Sequence, residues 1–83
     1  MLSNDIKKGD RMVLRNGWEA EMMDNAKGVV RMARVHGFET EIGSIYMHDV
    51  AVVETASGSW EPVKFTDGQR KQIEKIKKAL KNI

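Results

Sequence analysis

Residues 10–22, Asp-Arg-Met-Val-Leu-Arg-Asn-Gly-Trp-Glu-Ala-Glu-Met, indicate a β fold, because apolar and polar side chains alternate on both sides of one turn signal. Met12 and Leu14 share one side of the first predicted strand, and Arg11 and Arg15 share the other. Asn16-Gly17 suits a tight hairpin turn, because both residue types tolerate positive φ. After the turn, the side predicted to face inward carries Trp18, Ala20 and Met22, opposite Glu19 and Glu21.

Further β segments follow, separated by glycines. Residues 28–36 form a third predicted strand, in which Arg31 and Arg34 fall on opposite faces, so that a bulge or strong bend is expected. The fourth strand is predicted to point Phe38, Thr40 and Ile42 inward. Residues 44–47 and 50–53 supply a fifth strand and leave a short sixth open, and Trp60, Val63 and Phe65 are expected to anchor the chain to the body.

One helix is predicted at the C-terminal end. Thr66-Asp-Gly-Gln69 fits a capping box, in which Thr66 is the N-cap and Gln69 lies at the third helical position. Apolar residues then recur at spacings of three, four and three, which places them on one stripe. The stripe consists of Ile73, Ile76, Leu80 and Ile83.

Length and composition limit the architecture to one domain. The chain has 83 residues, 41% of them hydrophobic, and no cysteine, which excludes disulfides, thiolate catalysis and Cys-based metal sites. We predict a mainly β domain over residues 1–83: an antiparallel barrel of about five strands over 6–65, followed by an amphipathic helix over 66–82. No apolar run approaches the ~20 residues of a membrane span, and no signal-peptide core is present, so a cytoplasmic location is expected.

Two segments carry resemblances. Ile6-Lys-Lys-Gly-Asp10 before the first strand resembles the opening of SH3-like barrels of the KOW and Tudor types, over roughly residues 6–53. Residues 40–49, Thr-Glu-Ile-Gly-Ser-Ile-Tyr-Met-His-Asp, resemble a segment of small bacteriophage proteins, which implies an accessory protein in a host bacterial cytoplasm. A KOW loop would carry lysines where Trp18-Glu-Ala-Glu21 is acidic, and this departure counts against the RNA binding of that family.

No catalytic or metal constellation is predicted. His48 and Asp49 are neighbours on a predicted strand, so their side chains would point to opposite faces. His36 and His48 with Glu41 or Asp49 lack the short helical spacing of known metal motifs. We therefore expect a protein that is not an enzyme and that uses no metal or cofactor.

Charge is distributed unevenly, although its total is only +2. Residues 1–69 carry eight basic and eleven acidic residues, whereas residues 70–83 carry six basic residues and one acidic residue. An acidic body with a basic tail has two candidate surfaces. One is an acidic patch of Glu19, Glu21, Glu39 and Glu41, unless these pair across strands with Arg11, Arg15 and Arg31. The other comprises candidate phosphate or partner contacts at Arg31, Arg34, Tyr46, Lys71, Lys75, Lys77, Lys78 and Lys81.

The first functional hypothesis is a small binding module that engages a host protein. The alternative is nucleic-acid binding through the basic helix and a barrel face that contains Arg31, Arg34 and an aromatic residue. A weaker alternative is a structural homo-oligomer that pairs through the Ile73, Ile76, Leu80 and Ile83 stripe. A membrane partner is not expected, because the stripe has no aromatic anchor.

Overall fold

The computed structural model describes residues 1–81 as one antiparallel sheet of six strands with a C-terminal helix. The strands are β1 (Arg11–Leu14), β2 (Glu19–Met22), β3 (Val30–His36), β4 (Thr40–Tyr46), β5 (Val50–Glu54) and β6 (Trp60–Pro62), and the helix is α1 (Asp67–Lys81). Short 3₁₀ turns lie at Ser3–Asp5 and Met47–Asp49. The order across the sheet is β4-β3-β2-β1-β5-β6, so β4 and β6 form its two edges.

The predicted β1–β2 hairpin is confirmed, with a different turn. The Gly17 N–H donates to the Leu14 carbonyl at 2.9 Å, and the Leu14 N–H donates to the Trp18 carbonyl at 2.8 Å. Gly17 has a φ of 90°, whereas Asn16 does not have a positive φ. Only glycine therefore takes the left-handed conformation, and Asn16 instead accepts a hydrogen bond from the Trp18 N–H.

The core lies against one face of the sheet, as the alternation in β1 and β2 predicts. Each fully buried Val, Leu or Met side chain stabilises the fold by roughly 1.5–3 kcal/mol. Ile6 and Met47, from the segments that flank the strands, close the same cluster. The cluster consists of Ile6, Met12, Leu14, Ala20, Met22, Ala33, Met47, Val50 and Val53.

The bulge expected in β3 is absent from the described strand ladders. β3 pairs in regular register with β2 and with β4, and the irregular step lies between β1 and β5, at Val13 and Leu14. Arg31 therefore shares the core face with Ala33, while Arg34 lies on the outer face. A buried arginine needs no bulge when its charge is paired, as it is here.

The inward positions predicted for the fourth strand are wrong. Phe38 lies in the β3–β4 turn, which a Gly37 N–H bond to the Glu39 carbonyl closes at 3.2 Å. Ile42 pairs with Arg34 and so shares its outer face, where it is 57% exposed. Glu41, Gly43 and Ile45 take the core face instead; because side chains alternate, a one-residue error of register reverses every assignment.

The helix begins with the predicted capping box. The Gln69 N–H donates to Thr66 Oγ1 at 3.2 Å, and the Thr66 N–H donates to Gln69 Oε1 at 3.1 Å. Ile73 is buried, Ile76 is half-buried and Leu80 is 50% exposed, so only the first half of the stripe is covered. Asn82, the predicted helix end, and Ile83 lie outside the described residues.

Two of the three predicted anchors pack against the core. Val63 and Phe65 are half-buried there, whereas Trp60 is 43% exposed on the edge strand β6. Trp60 pairs with Glu54 in a sixth strand that the sequence pattern did not separate. Among residues 1–81, no helix has the length and apolar character needed to cross a membrane.

Candidate partner-binding cleft

Two aromatic rings are exposed together at one end of the sheet. Trp18 follows the β1–β2 turn and Phe38 lies in the β3–β4 turn, and the pairing of Glu19 with His36 brings these two turns side by side. The ring centroids are 5.7 Å apart at an interplanar angle of 78°, an edge-to-face contact. Phe38 is nevertheless 97% exposed and Trp18 is 39% exposed, so the pair leaves a large aromatic surface in solvent.

Gly37 gives the indole its position. A Cβ atom at residue 37 would lie 2.6 Å from Trp18 Cζ3, closer than two non-bonded carbon atoms approach each other. The Trp18 ring therefore rests on the backbone of the β3–β4 turn. The absence of a side chain at Gly37 is what lets Trp18 meet Phe38.

Two carboxylates complete the cleft. Glu39 and Glu41 line, with Trp18 and Phe38, a surface depression of about 240 Å³. Neither glutamate belongs to an ion pair among residues 1–81. An aromatic wall beside unneutralised carboxylates favours a cation, because the ring face and the carboxylates both attract positive charge.

The predicted four-glutamate patch is divided by the sheet. β3 lies between β2 and β4, so Glu19 and Glu21 are separated from Glu39 and Glu41. Glu21 forms a long cross-strand ion pair at 3.8 Å, but with Arg34 and not with one of the three arginines predicted as partners. Only Glu39 and Glu41 remain together, beside the aromatic pair.

Arg31 is not a surface contact, which corrects its assignment as a candidate for phosphate binding. Its side chain is buried, and its Nε donates to Asp24 Oδ1 at 2.9 Å. Two further guanidinium nitrogens donate to the Asp24 and Ser3 carbonyls. The guanidinium charge of Arg31 is paired inside the fold, so this side chain is not available to bind a phosphate.

Asp24 is adapted to this pairing. Burial alone would raise the pKa of Asp24, but hydrogen bonds from the Met32 N–H, Arg31 and the Ala26 N–H outweigh it and hold the pKa below its ordinary value. The sequence pattern gives no sign of this pair, because Asp24 lies in the loop between β2 and β3, where no periodic pattern exists.

Arg34 and Tyr46 lie far apart on the outer face. Tyr46 pairs with Val30 at one end of the β3–β4 ladder, whereas Arg34 pairs with Ile42, four residues further along β3. Tyr46 is half-buried and stacks on His48, with ring centroids 5.3 Å apart. The predicted arginine–aromatic face is therefore not assembled as one surface.

His48 and Asp49 form neither a strand nor a dyad. They lie in the 3₁₀ turn Met47–Asp49, with His48 Nε2 and Asp49 Oδ1 4.0 Å apart, beyond hydrogen-bond range. His36 Nδ1 and Thr40 Oγ1 form a hydrogen bond at 3.1 Å. Within residues 1–81, no three His, Cys, Asp or Glu side chains cluster in a way that could hold a metal ion.

The helix presents its lysines to solvent. Lys71, Lys75, Lys77, Lys78 and Lys81 are all exposed. A second depression of about 290 Å³, where the helix meets the sheet, brings Arg15, Arg70 and Lys77 together beside Phe65 and Glu74. Arg15 is held there by donation from its Nε to the His48 carbonyl at 2.8 Å.

The sequence does not predict the aromatic cleft, because the alternation of apolar residues places both Trp18 and Phe38 in the core. The available signal was the position of Phe38 directly after Gly37, inside a turn rather than on a strand. Comparison of the chain with family models, with curated proteins and with solved structures gives no match.

Proposed function

We propose that this protein is a small non-enzymatic binding module that engages a basic segment of a protein partner, as a phage-type accessory protein acting on a host protein. The exposed Trp18–Phe38 pair beside Glu39 and Glu41 carries the proposal. Tryptophan is among the residues that contribute most to binding energy at interfaces. The resemblance of residues 40–49 to phage proteins supports the accessory role, and a host bacterial cytoplasm is the compartment it implies.

We infer further that the sheet is coiled as an SH3-like barrel. The order β4-β3-β2-β1-β5 is the one expected of that meander, in which β5 returns to pair with β1. The 3₁₀ turn Met47–Asp49 makes this return, and core residues from β1, β2, β3 and β5 meet on one side. In such a barrel the aromatic cleft lies where two hairpin turns meet.

The charge of the cleft selects the partner. A cation over an exposed aromatic ring gains about 0.5–1 kcal/mol. An exposed ion pair adds about 0.2–1 kcal/mol. Two carboxylates and two rings therefore support weak, reversible binding of an arginine or lysine side chain, and acidic segments would be repelled.

A titration of the protein with a blocked tri-arginine peptide tests the proposal, with Trp60→Phe as the background so that Trp18 is the only indole. We expect saturable changes in Trp18 fluorescence and no response to the matched tri-glutamate peptide. Phe38→Ala should weaken binding about two- to fivefold, equivalent to about 0.5–1 kcal/mol. Glu61→Gln, on the opposite edge strand β6, is the control and should leave the affinity unchanged, because Glu61 does not line the cleft. Unchanged affinity in Phe38→Ala would contradict the proposal.

A second candidate function is nucleic-acid binding at the depression lined by Arg15, Arg70 and Lys77. Three cationic side chains meet there, one from the turn after β1 and two from α1. We expect such binding to weaken steeply between about 50 and 200 mM salt, because phosphate contacts release counterions. Lys77→Glu with Lys78→Glu should abolish it and flatten the salt dependence, whereas Lys8→Glu, far along the chain, should have little effect. Binding of short DNA and RNA that survives the double variant would exclude the helix.

The homo-oligomer remains the third hypothesis. The half-buried Ile76 and the exposed Leu80 leave part of the helix stripe open to another chain. Sedimentation that depends on concentration in the parent protein, and not in Leu80→Lys, would support this alternative. Sedimentation as a monomer at all concentrations would exclude it.

A further inference from the structure

The edge strand β4 presents an open row of backbone groups whose positions can be deduced. The Met47 N–H donates to the Val29 carbonyl, and the Gly37 N–H donates to the Glu39 carbonyl. Both bonds belong to the register in which Arg31 faces Ile45 and Ala33 faces Gly43. In an antiparallel ladder, hydrogen-bonded and non-hydrogen-bonded pairs alternate, so the odd residues of β4 bond to β3.

The even residues of β4 consequently direct their N–H and C=O groups away from the sheet. These residues are Thr40, Ile42, Ser44 and Tyr46. Within residues 1–81 no other strand covers this edge. β4 also lacks the protection that natural edge strands use, since it contains no proline and no lysine and its only charge is Glu41.

We propose that an extended segment of the protein partner adds to β4 as a seventh strand. This inference rests on the proposed function and names its binding mode, because the edge is continuous with the cleft. Glu41 belongs to β4 and lines the cleft, and Glu39 immediately precedes the strand. Backbone pairing provides the affinity that a single cation site lacks, and side-chain sites at alternate positions provide selectivity.

The two faces of β4 specify the sequence of the added segment. On the outer face, Ile42 and Met32 are exposed on adjacent strands, with Val30 further along β3, so apolar side chains of the partner are accommodated there. On the other face, Glu41 and the cleft accept a basic side chain. Because neighbouring residues of a strand point to opposite faces, the partner segment alternates apolar and basic residues.

Amide hydrogen exchange with a synthetic nine-residue peptide of alternating valine and arginine, blocked at both ends, tests this mode. At 90% saturation, exchange at Ile42, Ser44 and Tyr46 should slow about tenfold, in proportion to the free fraction. The amides of Glu41, Gly43 and Ile45, already bonded to β3, should change much less. Two further peptides carry N-methyl groups on the odd or on the even residues. The one whose methylated amides face β4 should bind at least tenfold more weakly than the other.

Ser44→Pro is the matching change on the protein, with Ser44→Ala as its control. The Ser44 N–H faces the open edge, so proline removes a donor to the partner and none to β3, a position where edge strands tolerate proline. We expect Ser44→Pro to abolish binding of the alternating valine–arginine peptide. The fluorescence change of Trp18 on addition of the tri-arginine peptide should remain. If Ser44→Pro does not fold, the N-methylated peptides supply the same comparison.

Each failure has a distinct signature. A Trp18 response without slowed exchange at the even residues, or with no effect of N-methylation, would overturn strand addition and leave the cleft intact. Slowed exchange that persists in Phe38→Ala would retain strand addition and remove the cleft from the proposed function. Slowed exchange that depends on protein concentration without peptide would assign the edge to a second copy, and no peptide binding at millimolar concentration would refute strand addition.

Discussion

Asp24 and Arg31 form the one ion pair among residues 1–81 whose cation is fully enclosed. Asp24→Asn would place an amide N–H₂ group where Oδ2 now accepts from the Met32 N–H, and would leave the guanidinium charge uncompensated. We expect the free energy of unfolding to fall by about 2–3 kcal/mol, since an orphaned buried charge is costly. Urea unfolding measures this loss. Glu21→Gln, which removes the exposed Arg34 pair, should cost less than about 0.5 kcal/mol.

The same pair predicts a pH dependence with a definite sign. The folded pKa of Asp24 lies below its ordinary value of 3.8, so the folded state binds this proton less readily than the unfolded chain. The contribution of the Asp24 carboxylate to the free energy of unfolding is complete above its unfolded pKa. This contribution is lost as the pH falls through the folded pKa. The stability gap between the parent protein and Asp24→Asn should therefore be constant from pH 7 to pH 5 and shrink below about pH 4. A gap that widened on acidification would contradict this assignment.

Gly37 controls the shape of the cleft. In Gly37→Ala the new methyl group would meet the Trp18 ring, so the indole must leave its place and the Phe38 contact is lost. We expect a red-shifted Trp18 emission and a loss of stability of about 1 kcal/mol from overpacking. Gly43→Ala is the matched control, because nothing lies within 4 Å of its added Cβ. Equal effects of the two substitutions would refute the role of Gly37.

At the scale of the element, the helix is attached by its first half. Ile73 is buried, so Ile73→Ala should cost about 2–4 kcal/mol, the usual loss for truncating a buried isoleucine. Leu80→Ala, on the same stripe but half-exposed, should cost less than about 0.5 kcal/mol. Thermal unfolding of the two variants measures the contrast. Similar losses would show that the whole stripe is covered.

The elements that follow one simple period could be predicted from sequence. β1 and β2 alternate strictly, and α1 combines a capping box with a regular stripe, so local pattern and tertiary environment agree. The faces of β4 could not be predicted correctly, because Glu41 and Gly43 occupy core-side positions while Ile42 is exposed. In this strand the apolar side chain lies on the solvent face, which reverses the usual pattern. Such departures concentrate where proteins bind other molecules.

The candidate site was harder to predict than the fold. The sequence pattern places Trp18 and Phe38 in the interior, where large aromatic residues usually lie. In the structure both rings are exposed, because the core is complete without them. Arg31 shows the opposite error: its charge is predicted to lie on the surface, although its partner Asp24 lies only seven residues earlier, in the preceding loop. Pairings between a loop and a strand leave no periodic signal.

At the scale of the whole molecule, the N-terminal segment connects the sheet to the helix. The Ser3 N–H donates to the Lys64 carbonyl and the Lys64 N–H donates to the Met1 carbonyl, so this segment runs beside the chain that leads into α1. Asn4 Oδ1 accepts from Gln69 Nε2 at 2.7 Å and from the Gly28 N–H at 3.3 Å. One carbonyl oxygen thus joins the helix, the β2–β3 loop and the N-terminal segment.

Asn4→Ala should therefore loosen the helix more than the sheet. Gln69 is buried, and without Asn4 its Nε2 loses the partner that compensates its burial, at a cost of about 1–3 kcal/mol. We expect amide exchange in the first turns of α1 to accelerate about tenfold or more, while amides of β1 and β2 change only with global stability. Asn4→Asp retains an acceptor oxygen at the same place and should restore most of the protection. Equal acceleration in helix and sheet would show that the two unfold as a single unit, and that Asn4 does not hold the helix separately.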